Sequence, residues 1–179
     1  MARTKGSVEV NAPLEACYRV WIDFENYPRF MTFVKSVRRK GDPNVLQWDV
    51  TGPAGKVLSW DSELDAVSHN NRAISWHTVR NADVPNSGAV TLEPTEGQRT
   101  RINLVLEYEP PAGIFGDLVG DKLGVADSMV QKTLENFKNL MENPATVGAG
   151  SRPPQSTTQP GSTQTASQQE GAAPGNYQI

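Results

Sequence analysis

The chain has 179 residues, 17 basic and 20 acidic, for a formal net charge of −3. That length suits one domain with an appendage, and the near-balance of charge argues against a nucleic-acid-binding surface. The lone cysteine, Cys17, excludes an intramolecular disulfide, and without clustered histidines it excludes a zinc site.

Residues 1–10 lack the apolar run of a signal peptide, and no stretch approaches the ~20 apolar residues needed to span a bilayer. A cytoplasmic protein in a reducing compartment is expected. Residues 7–10 alternate, with Val8 and Val10 on one side, which predicts a short strand after a flexible start. Pro13 then opens a helix. Proline is favoured in the first turn, Glu15 sits near the positive end of the dipole, and Leu14, Cys17, Tyr18 and Trp21 make an apolar stripe. Cys17 is therefore expected in the core rather than as a nucleophile. Residues 23–33 carry Phe24, Tyr27, Phe30, Met31 and Phe33 but are broken by Pro28, predicting a short second helix or turn. Two roles are open to this segment: a plug in one end of the core, or a gate over a cavity mouth.

The span 34–109 predicts five or six strands joined by short turns, an antiparallel meander. Its first strand, 34–40, holds Lys35, Arg38, Arg39 and Lys40, read as a solvated face or edge. Leu46, Trp48 and Val50 share a face of 45–51, and 52–55 is a turn. Leu58, Trp60, Ser62, Leu64 and Ala66 then face in, opposite Ser59, Asp61, Glu63 and Asp65, as in a sheet wet on one side. After a turn at 69–71, Ile74, Trp76 and Thr78 face in; after a loop at 81–85, Gly88, Val90 and Leu92 do so until Pro94. Past a turn at 96–98, Ile102, Leu104, Leu106 and Tyr108 complete the pattern.

Pro110, Pro111 and Gly113 stop the sheet, and Gly116, Gly120 and Gly124 follow at intervals of four. Each glycine costs a helix about 1 kcal/mol relative to alanine, so a short, weak helix or a helix-loop entry is expected there. In 126–141, Ala126, Val130, Thr133, Leu134, Phe137, Leu140 and Met141 fall on one stripe at helical spacing, with Asp127, Gln131, Lys132, Glu135 and Lys138 opposite. Such a one-sided helix needs a partner, and the concave face of a curved sheet supplies one. Beyond 142 the composition turns to Gly, Pro, Ser, Thr, Gln and Ala, with Arg152 and Glu170 the only charges. The expected organisation is a ligand-binding domain over 1–142 and a disordered tail over 143–179.

Specific residues sharpen the pattern: Val8-Glu-Val-Asn-Ala-Pro13, Val20-Trp-Ile-Asp-Phe-Glu-Asn-Tyr-Pro-Arg-Phe-Met31, Asn86-Ser-Gly88 and Leu106-Glu-Tyr-Glu-Pro110. Over about 5–142 the chain resembles the polyketide cyclase/dehydrase family, including the coenzyme Q-binding START-like proteins, within the START and plant-allergen superfamily. The resemblance implies an α+β helix-grip fold, a curved antiparallel sheet wrapped around a long C-terminal helix. It also implies an enclosed hydrophobic pocket for a lipid, quinone, polyketide or similar ligand. Members range from carriers and chaperones to aromatase/cyclases, so the resemblance implies no single chemistry.

The residues themselves give catalysis little support. His69 falls in a predicted turn and His77 has outward parity. There is no Ser/His/Asp nucleophile turn, phosphate-cradling glycine loop or metal spacing, so no cofactor is called for. Tyr108 is the one weak candidate acid, and a phenol with a pKa near ~10 needs a strong shift or a charged partner to act. The expected function is therefore noncatalytic binding of a hydrophobic small molecule between sheet and last helix, as carrier or chaperone. The alternative is a polyketide or aromatic cyclase/dehydratase. On the sheet the binding candidates are Trp48, Trp60, Ser62, Ile74, Trp76, Thr78, Val90, Leu104 and Tyr108. On the helix they are Val130, Leu134 and Phe137. A filled core whose polar groups bond one another is the competing arrangement, and an interaction module engaging a partner through the tail is a third.

Overall fold

Alternation along the chain becomes a single antiparallel sheet in a computed structural model that describes residues 1–68, 72–109 and 122–143. Its strands are β1 (Ala2–Val10), β2 (Val34–Arg39), β3 (Val45–Thr51), β4 (Val57–Ser68), β5 (Ala73–Thr78), β6 (Asn86–Thr95) and β7 (Arg99–Tyr108). The spatial order is β1-β7-β6-β5-β4-β3-β2, so β2 to β7 form a meander and β1 joins its far end. Helix α1 (Leu14–Trp21) and a 3-10 segment (Phe24–Arg29) connect β1 to β2, and α2 (Lys122–Glu142) ends the described chain. This is the expected helix-grip architecture.

β1 is longer than its apolar alternation predicted, pairing from Val10↔Thr100 to Ala2↔Tyr108. Thr4 and Gly6 interrupt the apolar signal, but the free edge of β7 offers hydrogen-bonding partners along this whole length. The same Gly6 brings α2 down onto β1. A Cβ there would stand 2.8 Å from both Leu134 Cδ1 and Val130 Cγ1, closer than real side chains approach. Polar ties hold the helix along its length. The Thr4 hydroxyl donates to Asp127, Asn136 Nδ2 to the Phe30 carbonyl at 3.0 Å, Lys138 Nζ to the Glu9 carbonyl at 2.7 Å, and the Asn11 amide to Glu142 at 2.7 Å. α2 starts at Lys122, one turn ahead of the apolar stripe.

Pro13 caps α1 in extended conformation, and its carbonyl accepts from the Ala16 and Cys17 amides. Leu14, Cys17, Tyr18 and Trp21 are buried as the stripe required. Most of the large apolar side chains of 23–33 fill one end of the core, as a plug does. Phe24, Tyr27, Phe30 and Met31 are buried, and Tyr27 donates to the Trp21 carbonyl at 2.8 Å. Phe137 of α2 joins this aromatic cluster, 5.0 Å from Trp21 and 5.2 Å from Phe30 between ring centroids.

Two strand details differ from the alternation pattern. In β4 the pairing steps from Leu64↔Trp76 to Ala66↔Ser75, so Asp65 is an extra residue and Val67 comes to oppose Ile74. Ala66, expected inward, is exposed instead, because one bulged residue reverses the parity of all that follow. β6 runs past Pro94 to Thr95. Its pairing with β5 ends at Ala73↔Thr91, so only β7 borders Pro94 and no partner on the other side requires its missing N–H. The cationic residues of β2 and the Lys40 that follows it lie outside, where Arg38 pairs with Asp49 at 2.6 Å and Lys40 with Asp61 at 2.9 Å. The turn expected at 69–71, the glycine-spaced entry around Gly116 and Gly120, and the tail beyond 143 lie outside the described residues.

Candidate functional site

Because α2 rests on β1, at one edge of the curved sheet, the middle strands face it across open space. The result is a cavity of about 450 Å³, within the ~300–1,000 Å³ range of small-molecule sites. β3 and β4 contribute Trp48, Val50, Leu58 and Trp60; β5 and β6 contribute Trp76 and Asn86; β7 contributes Leu104, Leu106 and Tyr108. α2 roofs it with Val125, Ala126, Met129, Val130 and Thr133, while Met31 and Phe33 close the side toward the aromatic plug. Among the described residues, no lining side chain carries a formal charge.

The aromatic walls follow from strand pairing. Trp48 and Trp60 are direct cross-strand partners, so their indoles stack at 6.4 Å with a 16° interplanar angle. Their polar atoms are turned away from the void where partners exist. Trp48 Nε1 donates to the buried Ser62 hydroxyl at 2.8 Å, and Trp76 Nε1 to Asn86 Oδ1 at 3.2 Å. Asn86 is itself held by its Nδ2 donating to the Val84 carbonyl at 2.8 Å. The surface offered to a ligand is thus largely apolar, with Thr51, Asn86, Tyr108 and Thr133 among its polar lining side chains.

Of the residues expected to bind ligand, Trp48, Trp60, Trp76, Leu104, Tyr108 and Val130 line the cavity. Ser62 stands behind Trp48, and Thr78, paired with Ser62, accepts a bond from the Asn86 amide at 3.1 Å. Ile74, Val90, Leu134 and Phe137 are packed in the core, at most 1% exposed. Sequence reasoning did not pick out Asn86, Met129 or Val125 as site residues. Asn86 sits at a loop-to-strand junction, and Val125 and Met129 lie beside the apolar stripe of α2 rather than on it, so periodicity alone passed them over. Val125 is 47% exposed although it lines the cavity, which places it at the mouth.

Among the described residues, Tyr108 is the titratable group lining the cavity. Burial pushes its phenol above the ordinary range and the nearby Asp127 carboxylate adds to this, so it stays protonated at neutral pH. In that state it is a hydrogen-bond donor to a carbonyl or hydroxyl oxygen. The other candidate groups stand elsewhere. Burial pushes the Cys17 thiol up, and the thiol contacts the Ala12 carbonyl at 3.9 Å inside the core. His77 pairs with Asp65 at 2.7 Å and is half-exposed; His69 lies outside the described residues. Among the described residues no group of three His, Cys, Asp or Glu is placed to hold a metal ion, and no helix is long and apolar enough to cross a membrane.

Comparison with known proteins agrees with this architecture. An uncharacterized protein of Streptomyces lincolnensis is 29% identical over 142 residues, covering 79% of this chain and 91% of its own. A crystal structure from Deinococcus radiodurans is similar at 27% identity and a TM-score of 0.62, covering 79% of this chain and 98% of that one. The Zhui aromatase/cyclase of a Streptomyces species shares the fold, with 19% identity, a TM-score of 0.58 and coverage of 80% and 98%. Residues 1–142 match the family described as polyketide cyclase / dehydrase and lipid transport. With its sheet, grip helix and apolar cavity, the chain belongs to the polyketide cyclase/dehydrase and lipid-transport family.

Proposed function

We propose that the protein binds an uncharged hydrophobic small molecule in the space between its sheet and α2 and acts as its carrier or chaperone. The observation that carries this reading is the cavity of about 450 Å³ in which, among the described residues, no lining side chain bears a formal charge. An apolar space of this size offers dispersion contacts and release of water to a ligand, and it penalises any ionised group that enters without a partner. In this reading Trp48, Trp60, Trp76, Leu104, Tyr108 and Val130 touch the ligand, and Tyr108 orients an oxygen atom on it. Ser62, Ile74, Thr78, Val90, Leu134 and Phe137 support those walls from behind. Residues 1–142 are the binding unit, and 143–179 are not needed for uptake.

The test is native mass spectrometry of the protein from its own host, compared with the same sample after denaturation. A released apolar molecule is expected. A bare mass throughout, together with no uptake of neutral apolar probes, would count against the reading.

A second reading has its own observation. Tyr108 lies on the cavity wall, where burial and Asp127 push its phenol up and keep it protonated, so that it can hydrogen-bond to a carbonyl oxygen and stabilise the negative charge that develops there during cyclisation or dehydration. Loss of turnover in Tyr108→Phe with ligand uptake retained supports it. Turnover that survives the substitution removes Tyr108 from that role.

A further inference from the structure

Resting on the binding reading above, we propose that Gly88 sets the depth of the cavity by seating the Trp76 indole flat against the sheet. Trp76 on β5 and Gly88 on β6 are direct cross-strand partners. A Cβ at position 88 would lie 2.4 Å from Trp76 Cζ2, 2.8 Å from Cη2 and 2.9 Å from Cε2. Three ring atoms of the indole therefore occupy the space in which any other residue's side chain begins. From there the ring reaches along β6, and its N–H donates to Asn86 Oδ1 at 3.2 Å. Asn86 is fixed in turn, by its amide group on the Val84 carbonyl at 2.8 Å and its backbone N–H on the Thr78 hydroxyl at 3.1 Å.

The indole is thus held at both ends, its six-membered ring over Gly88 and its N–H on Asn86. Side chains on strands otherwise stand roughly perpendicular to the sheet, and an upright indole on β5 would project toward α2 through the middle of the cavity. With glycine beneath it, Trp76 becomes a floor instead of a partition. Gly88 is not among the residues lining the cavity, so it is a positioning residue that selects ligands by size without contacting them. A methyl group at 88 lifts the ring, breaks its bond to Asn86 and shortens the space left for a long ligand.

The test uses the full chain and two neutral probes, the longer N-phenyl-1-naphthylamine and the smaller naphthalene, with affinities read by fluorescence and calorimetry. Gly88→Ala is expected to weaken the longer probe about tenfold or more while naphthalene stays within about twofold, because overfilling penalises the ligand that needs the lost space. Adding Trp76→Phe, whose smaller ring clears the new methyl group, is expected to restore the longer probe to within about threefold of wild type. Unchanged affinity for the longer probe in Gly88→Ala, equal weakening of both probes, or no rescue in the double variant would overturn the proposal. If Gly88→Ala fails to fold, a folded double variant supports the clash and an unfolded one overturns it. Uptake of neither probe by the wild type would sink the binding reading separately. The NMR signal of the Trp76 indole N–H then decides the role of Gly88: displaced in Gly88→Ala it supports the seating, and unmoved it overturns it.

Discussion

Replacing Phe137 by alanine removes the ring with which α2 locks into the aromatic plug. Phe137 is fully buried, with centroids 5.0 Å from Trp21 and 5.2 Å from Phe30. Truncating a buried phenylalanine costs about 3–5 kcal/mol, and two aromatic pairs at about 0.5–1.5 kcal/mol each account for a good part of that. Against a total stability of about 5–15 kcal/mol this is a severe loss. Urea denaturation followed by tryptophan fluorescence is the assay, with an unchanged m-value and a midpoint lowered by roughly 1–4 M. A thermal midpoint lower by about 6–20 °C is expected alongside. Phe137 does not line the cavity, so the variant, while folded, is expected to keep its probe affinity within about threefold. A stability loss under about 1 kcal/mol at unchanged m would refute the reasoning. It would mean that α2 is not clamped by this cluster.

The remaining predictions separate packing, cavity and charge. Gly6→Ala sets a methyl group against Leu134 and Val130 at 2.8 Å and should destabilise by about 1–3 kcal/mol in the same denaturation assay; a neutral result would show that α2 stands off β1. Ala126→Phe projects a ring from α2 into the cavity and should weaken N-phenyl-1-naphthylamine about tenfold while stability changes by less than about 1 kcal/mol. Undiminished uptake would place the ligand elsewhere. The Asp49 carboxyl is held below the ordinary range by the Ser59 and Ser36 hydroxyls and, less strongly, by Arg38. A carboxyl depressed in the folded state contributes its stability above the unfolded value, near pH ~4, and loses it as pH falls through the folded one. Stability should therefore drop on acidification below about pH 4 and drop less steeply in Asp49→Asn, measured as urea midpoint against pH. Equal slopes in the two proteins would remove Asp49 from the acid response.

Much of the fold was legible because local periodicity and tertiary burial ask for the same residues. The stripe Leu14, Cys17, Tyr18 and Trp21, the face Leu46, Trp48 and Val50, and the series Ile102, Leu104 and Tyr108 are all buried as their spacing required. Where the pattern failed, a nonlocal partner had overridden it. β1 extends to Ala2 because β7 offers an edge, and Ala66 turns outward because Asp65 is an extra residue against β5. The site was less legible than the fold. Inward parity does not distinguish Trp76, which borders empty space, from Ile74 two residues earlier, which is packed solid. Both have the same spacing and the same apolar character.

What the sequence by itself determined is which residues turn inward and which elements they form, since a period of two or of 3.6 is a property of adjacent residues. It also carried the family resemblance, through motifs such as Trp21 to Phe30. Only the tertiary structure decided that the inward face is not filled. That depends on where α2 lands, and its landing on β1 is set by Gly6 meeting Leu134 and Val130 across the fold. It also depends on Gly88 lying opposite Trp76, a pairing between two strands that no local pattern encodes. Cavity volume is what remains after distant side chains have packed, so it follows from contacts between elements and not from any one of them.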